Sequence, residues 1–171
     1  MSGLLSYEEL MALVARGVIK NTELNQVKAC SIELTMDASL SMEVFEMPSE
    51  EMVWPRHRID LDYRDPIKTT MIDARPSFDL EPGSAVMIKT REYFNLPNDI
   101  SMQLVSTLPM ARACLGLSGC TFRAAGFGDQ SLPLTLVNLT QNHLITLRPG
   151  NVIAQALLFH HRAVPMEICH V

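Results

Sequence analysis

The spacing of apolar and polar positions changes character once along the chain. Near the start, Leu10, Leu13 and Val14 recur at helical spacing behind Ser6-Tyr7-Glu8-Glu9. That tetrapeptide has the form of a capping box, in which the serine hydroxyl accepts from the third helical N–H and the glutamate reaches back. Gly17 offers a stop, so the pattern predicts one short amphipathic helix over 6–16, with Val18-Ile19 extended after it. Beyond this point alternation of period two takes over. Residues 31–36 and 41–45 read as half-buried strands, and further strands are expected at 84–89, 102–106, 132–139, 144–147 and 151–159. Pro82-Gly83 and Arg148-Pro149-Gly150 mark turns between them. The stretch 47–76 is rich in charge and proline, with Trp54-Pro55, Asp65-Pro66 and Arg75-Pro76, and reads as a long loop or a meandering strand edge. Many short strands separated by turn signals predict an all-β fold, a β-barrel or double-sheet jelly roll, with a short N-terminal helix. Internal repeats and low-complexity tracts are absent from the sequence.

Composition narrows the picture. A length of 171 residues, 47% apolar and 19% charged, is that of one globular domain, expected to span 1–171. The longest apolar run, 152–159, is about half the roughly 20 residues a membrane helix needs, so no membrane partner is expected. The first residues lack the basic start and long apolar stretch of a signal peptide, which points to the cytoplasm. A net charge of −5 offers no global field for a polymeric nucleic acid, although a local group of Arg, Lys and backbone N–H can still hold a small anion. Cys30, Cys114, Cys120 and Cys169 show neither CxxC nor finger spacing and read as buried thiols in a reducing compartment.

Single residues carry little chemistry on their own. His160-His161 are adjacent, which on a strand sends them to opposite faces and makes a chelating pair awkward. Asp60, Asp62 and Asp65 sit in the charged stretch and read as a solvated acidic run rather than a cation site. Ser106 and Ser131 lack the G-x-S-x-G elbow of serine hydrolases. The segment 115–131 is more informative: Leu115-Gly116-Leu117-Ser118-Gly119 and Ala125-Gly126-Phe127-Gly128-Asp129 place small residues beside Arg112, Arg123 and one carboxylate. Backbone can approach a ligand closely there, arginines supply planar donors to phosphate, and a lone aspartate can orient a water. Tight barrel turns with ordinary surface arginines remain the alternative.

Laid out in order, these segments resemble the dCTP deaminase and dUTPase superfamily, the deaminase branch more closely. Leu13-Val14-Ala15-Arg16-Gly17-Val18-Ile19 and Ser31-Ile32-Glu33-Leu34-Thr35-Met36 are similar to its "E-G-x-I/L" and "S-x-D-L-x-L". Phe78-Asp79-Leu80-Glu81-Pro82-Gly83 and Thr90-Arg91-Glu92-Tyr93-Phe94-Asn95-Leu96-Pro97-Asn98-Asp99-Ile100 are similar to "L-x-P-G" and "T-x-E-x-x-x-L-P-x-D-I". Leu134-Thr135-Leu136-Val137-Asn138 and Leu147-Arg148-Pro149-Gly150-Asn151-Val152-Ile153-Ala154-Gln155 resemble "L-x-L-x-N" and "L-R-P-G-x-x-I-x-Q". The resemblance implies a distorted jelly-roll barrel of the dUTPase type and homotrimers with sites between subunits. It also implies a deoxynucleoside triphosphate ligand carrying Mg2+ on its phosphates, and a chemistry without zinc.

Carried over residue by residue, the phosphate-binding segment "G-R-S-S-L-A-R" falls on Ser106-Thr107-Leu108-Pro109-Met110-Ala111-Arg112. Ala111 and Arg112 keep the last two positions, while Thr107, Leu108 and Pro109 stand for Arg, Ser and Ser, and proline has no N–H to offer a phosphate. The motif "A-G-x-I-D-P-G-F-x-G" fits in two registers: the favoured one makes Asp129 the acidic residue, the other puts Ala124 in its place. In both, Thr135 stands where deaminases carry the glutamate that activates water, a task threonine cannot perform. The chain ends at Cys169-His170-Val171, and the extension that closes over the nucleotide in these enzymes is expected to be missing. Three readings follow: a deoxynucleotide enzyme, a dCTP deaminase or dUTP pyrophosphatase, in which Arg112, Arg123 and Gln155 hold phosphates and Asp129 orients water; a degenerate member acting as a nucleotide-binding or regulatory trimer; or a structural jelly roll.

Overall fold

The computed structural model describes residues 3–43, 69–118, 122–123, 125–163 and 165, without the side chains of Glu43 and Thr69. The end of the strand expected at 41–45, most of the 47–76 stretch with Asp60, Asp62 and Asp65, and Cys120, Ala124 and Cys169 lie outside the described residues.

The helix forms where the capping box puts it. Helix α1 (Tyr7–Ala15) is capped by Ser6, whose backbone N–H donates to Glu9 Oε2 at 2.8 Å while its hydroxyl accepts from the Glu9 N–H at 3.5 Å. The Ser6 backbone bond, and then its hydroxyl, hold the Glu9 carboxyl below its ordinary range. Gly17, at φ +70, ends the helix. Leu10 and Leu13 face the core.

The strands that precede and follow the helix are β1 (Gly3–Leu4), β2 (Ile19–Lys20), β3 (Ile32–Glu43), β4 (Thr69–Asp73), β5 (Phe78–Leu80) and β6 (Ala85–Phe94). The second half of the chain supplies β7 (Ile100–Val105), β8 (Leu115–Ser118), β9 (Phe122–Arg123), β10 (Gln130–Asn138), β11 (Ile145–Leu147) and β12 (Val152–His160). All described pairings are antiparallel, in the order β8-β10-β6-β3-β12-β7-β9, with β1 on β12, β2 on β6, β4 on β3, and β5 with β11 apart. The sheet curls around Leu34, Met36, Ile88, Leu134, Leu136, Ile153 and Leu158. This is the all-β fold with a short N-terminal helix that the alternation predicts, in the distorted jelly-roll form that the resemblance implies.

The curl is produced by β3. Its first half, Ile32 to Thr35, pairs with β12, and its second half pairs with β6 and β4. The two strands expected at 31–36 and 41–45 are therefore one, because Asp37-Ala38-Ser39 breaks the apolar alternation without breaking the strand; a register shift absorbs the break. Where β3 leaves β6, the Glu92 carboxylate, fully buried, takes the place of a strand. It accepts from Thr35 N at 2.9 Å, Thr35 Oγ1 at 2.6 Å and Gln26 Nε2 at 2.8 Å. Two residues earlier, Thr90 Oγ1 accepts from Leu132 N and donates to Glu92 O, bridging the bulge beside Pro133, which has no N–H for the ladder. Asn138 closes the far end: its amide donates to Leu80 O and His143 O, and its Oδ1 accepts from Thr140. These polar inward residues explain why β6 runs to Phe94 rather than stopping at 89.

Several elements went unexpected, among them β1, β5 and a helical turn at Leu108–Arg112. Thr69–Asp73 is a strand within the stretch read as a long loop or a meandering strand edge, and β8 and β9 occupy what glycine content had suggested were turns. The cysteines need a correction: Cys30 and Cys114 are exposed, because they fall in the connections before β3 and after β7 rather than on inward strand positions.

Candidate functional site

The segment matched to the phosphate-binding loop folds as a helical turn, α2 (Leu108–Arg112). Thr107 caps it by accepting from Met110 N at 3.4 Å, and Pro109 sits in the first turn, where a missing N–H costs nothing. The Ala111 N–H is engaged by Thr107 O, so it is turned into the helix, while the Arg112 side chain is exposed at the C-terminal end. Met110 anchors the turn in the core and leaves Leu108 exposed.

Strand β7 borders three of the expected ligands, but on two faces. It leads through Thr107 into α2 and Arg112; on one side Gln155 of β12 lies opposite Val105, and on the other Arg123 of β9 lies opposite Met102. Met102 is an inward position, and Val105 alternates with it onto the outer face. Arg123 and Gln155 therefore project from opposite sides of one chain's sheet. The Arg123 guanidinium lies 5.4 Å over the Phe127 ring, and its Nε is buried with no hydrogen-bond partner among the described residues.

Asp129, just ahead of β10, is half exposed and paired with Lys20 Nζ. Lys20 on β2 and Ser131 on β10 both lie opposite Tyr93 of β6, so Lys20, Tyr93 and Ser131 form a row on the outer face next to Asp129. Sequence reasoning named Asp129 and missed Lys20, 109 residues away; no local pattern signals that pairing. Thr135 faces outward from the middle of β10, opposite Met87 on one side and Ser118 on the other, with Ser41 next along. That row contains hydroxyls and a thioether, and no carboxylate or imidazole to act on water.

His160 at the end of β12 meets Asp99, with Nε2 3.2 Å from Oδ2, and His161 Nδ1 meets Arg162 O. Among the described residues no three His, Cys, Asp or Glu side chains are placed to hold a metal, and no helix is long and apolar enough to cross a membrane.

Comparison with known proteins bears on the same span. The family model described as dCTP deaminase-like matches residues 4–161. Among solved structures, the chain is similar to 2'-deoxycytidine 5'-triphosphate deaminase from Agrobacterium tumefaciens, with a TM-score of 0.71 at 19% identity, covering 93% of this chain and 49% of that one. The chain thus spans about half the length of that deaminase. The EIAV dUTPase gives a TM-score of 0.43 at 15% identity over 59% of this chain and 85% of that one. The Staphylococcus bacteriophage 80alpha dUTPase gives 0.42 at 16% over 53% and 71%. Comparison of the sequence with curated proteins finds no significant match.

Proposed function

Because the chain belongs to the dCTP deaminase-like family, we propose that it binds a deoxynucleoside triphosphate with Mg2+ carried on the phosphates, as a homotrimer, and does not deaminate it by the family route. The family match over residues 4–161 carries the reading. Arg112 and Arg123 are the phosphate ligands: guanidinium forks match phosphate oxygens, and the Arg123 Nε has no partner within the chain. Gln155 contributes an amide from the outer face. Since Arg123 and Gln155 lie on opposite faces of one chain, a pocket that uses both needs a second copy, which supports the trimer. Deamination requires a base to take a proton from water, and the row around Thr135 supplies none.

A second reading, hydrolysis of the triphosphate, is favoured by one observation: Asp129 is an exposed carboxylate fixed beside a cation rather than sealed in a turn. The experiment that separates the two incubates the protein and Mg2+ with each deoxynucleoside triphosphate and follows thermal shift alongside product chromatography. A stabilising shift without product, lost in Arg112→Ala and Arg123→Ala, is expected. Released pyrophosphate or monophosphate that disappears in Asp129→Asn would transfer the function to the second reading, and neither shift nor product would overturn both.

A further inference from the structure

Away from these residues, a cleft of about 310 Å3 opens between the 3-10 turn Leu24–Gln26, β3 and β6, with the Gly150 turn along one side. That volume lies at the lower end of the roughly 300–1,000 Å3 typical of small-molecule sites. Its floor is rigid. Gln26 and Thr35 are both buried, and both donate to the Glu92 carboxylate one layer below, while Gln26 Oε1 accepts from Glu23 N at 2.7 Å. Its rim is labile: Lys28 Nζ stands 3.2 Å from Glu33 Oε2, and Arg91 Nη1 stands 3.7 Å from Glu23 Oε1, too far for a hydrogen bond. The Arg91–Glu23 pair is largely exposed and worth at most about 1 kcal/mol, so a ligand that offers better partners displaces it. Lys28 also donates to Asn25 O at 2.7 Å and keeps that partner if Glu33 turns to a ligand.

The charges select the ligand class. Glu23 and Glu33 on the rim and Glu92 beneath outnumber Lys28 and Arg91, which disfavours a simple anion; a simple cation would sit against Arg91 and Lys28. A ligand that carries both charges meets neither penalty. We propose that this cleft binds a small zwitterion of the amino-acid type, its carboxylate taken by the Arg91 fork, whose donors have no hydrogen-bond acceptor among the described residues, and its ammonium taken by Glu33 above the Glu92 layer. Arg112, Arg123, Asp129 and Gln155 do not line it, although Gln155 of β12 lies opposite Glu33 of β3.

The test is an amide-resolved NMR titration of the full chain with L-serine and L-glutamine, alongside ethanolamine, which lacks the carboxylate, and lactate, which lacks the ammonium. At least one amino acid is expected to give saturable shifts at the amides of Gln26, Glu33 and Thr35. Binding is expected to weaken by about tenfold or more in Arg91→Gln, in Glu33→Gln and for either single-charge analogue. Ethanolamine or lactate binding as tightly, variants that bind like the parent, or no saturable shift at those amides with either amino acid would each overturn the proposal.

Discussion

Two regions of this barrel treat buried polar groups in opposite ways. At the seam where β3 passes from β6 to β12, and at the far end of β10, Glu92, Thr90 and Asn138 are buried and every one of them is hydrogen-bonded, each filling a gap that strand pairing leaves. Among the described residues from α2 through Asp129, the charged side chains are exposed or half-buried, and the buried Arg123 Nε has no hydrogen-bond partner. Thr90-Arg91-Glu92 and Asn138 match the motifs that the resemblance supplies, whereas Leu108 and Pro109 in the second region, like Thr135 on β10, depart from them. The difference teaches what each motif is for. Residues that complete the backbone's hydrogen bonding cannot change without cost to the fold, whereas exposed residues can change at little cost to it.

This contrast can be broken by substitution. Glu92→Ala strips the acceptor from three donors at once and is expected to cost about 3 kcal/mol or more by chemical denaturation. A loss below about 1 kcal/mol would make the seam ordinary packing. Asn138→Ala should follow at about 2 kcal/mol, since it frees Leu80 O and His143 O together. Arg123→Met should change stability by less than about 1 kcal/mol, because the stacked guanidinium contributes little and the orphaned Nε is removed with it; the same variant should lose the nucleotide-induced thermal shift. Lys20→Met, which breaks an exposed pair, is expected to cost at most about 1 kcal/mol in the same denaturation series.

The smallest effect is one of pH. Hydrogen bonds from the Arg75 side chain, and then from its backbone N–H, hold the exposed Asp73 carboxyl at about 2, against an ordinary 3.8. A carboxyl depressed on folding stabilises only while ionised. Its contribution is therefore complete above about pH 4 and lost as pH falls through about 2. Carboxyl NMR should show that low midpoint in the parent and its return toward 3.8 in Arg75→Gln.

How far the sequence could be read follows the same division. Helix α1 was legible because Ser6 and Glu9 are three residues apart, β10 because Leu132, Leu134 and Leu136 alternate, and β12 because the apolar run 152–159 follows a Pro-Gly turn. The far half of β6 was not, since Thr90 and Glu92 point inward as polar residues and mimic the end of a strand. Within the candidate site, Arg112, Arg123, Asp129 and Gln155 were nameable from a resemblance, but the faces they occupy are set by register with β7, and the Lys20 partner by a crossing of β6. Such facts belong to long-range pairing, which no local pattern encodes.

The double allegiance of β3 also sets an order of events during synthesis. Its second half finds partners in β4 and β6, which leave the ribosome soon after it, but Ile32 and Leu34 must wait for Ala154 and Ala156, more than a hundred residues later. Until then the growing chain carries an open, apolar strand edge, the kind of surface that chaperones grasp and that neighbouring nascent chains pair with. Barrel closure is accordingly a late, high-contact-order step, and slow synthesis or crowded polysomes should lower the yield of folded protein more than any single surface substitution.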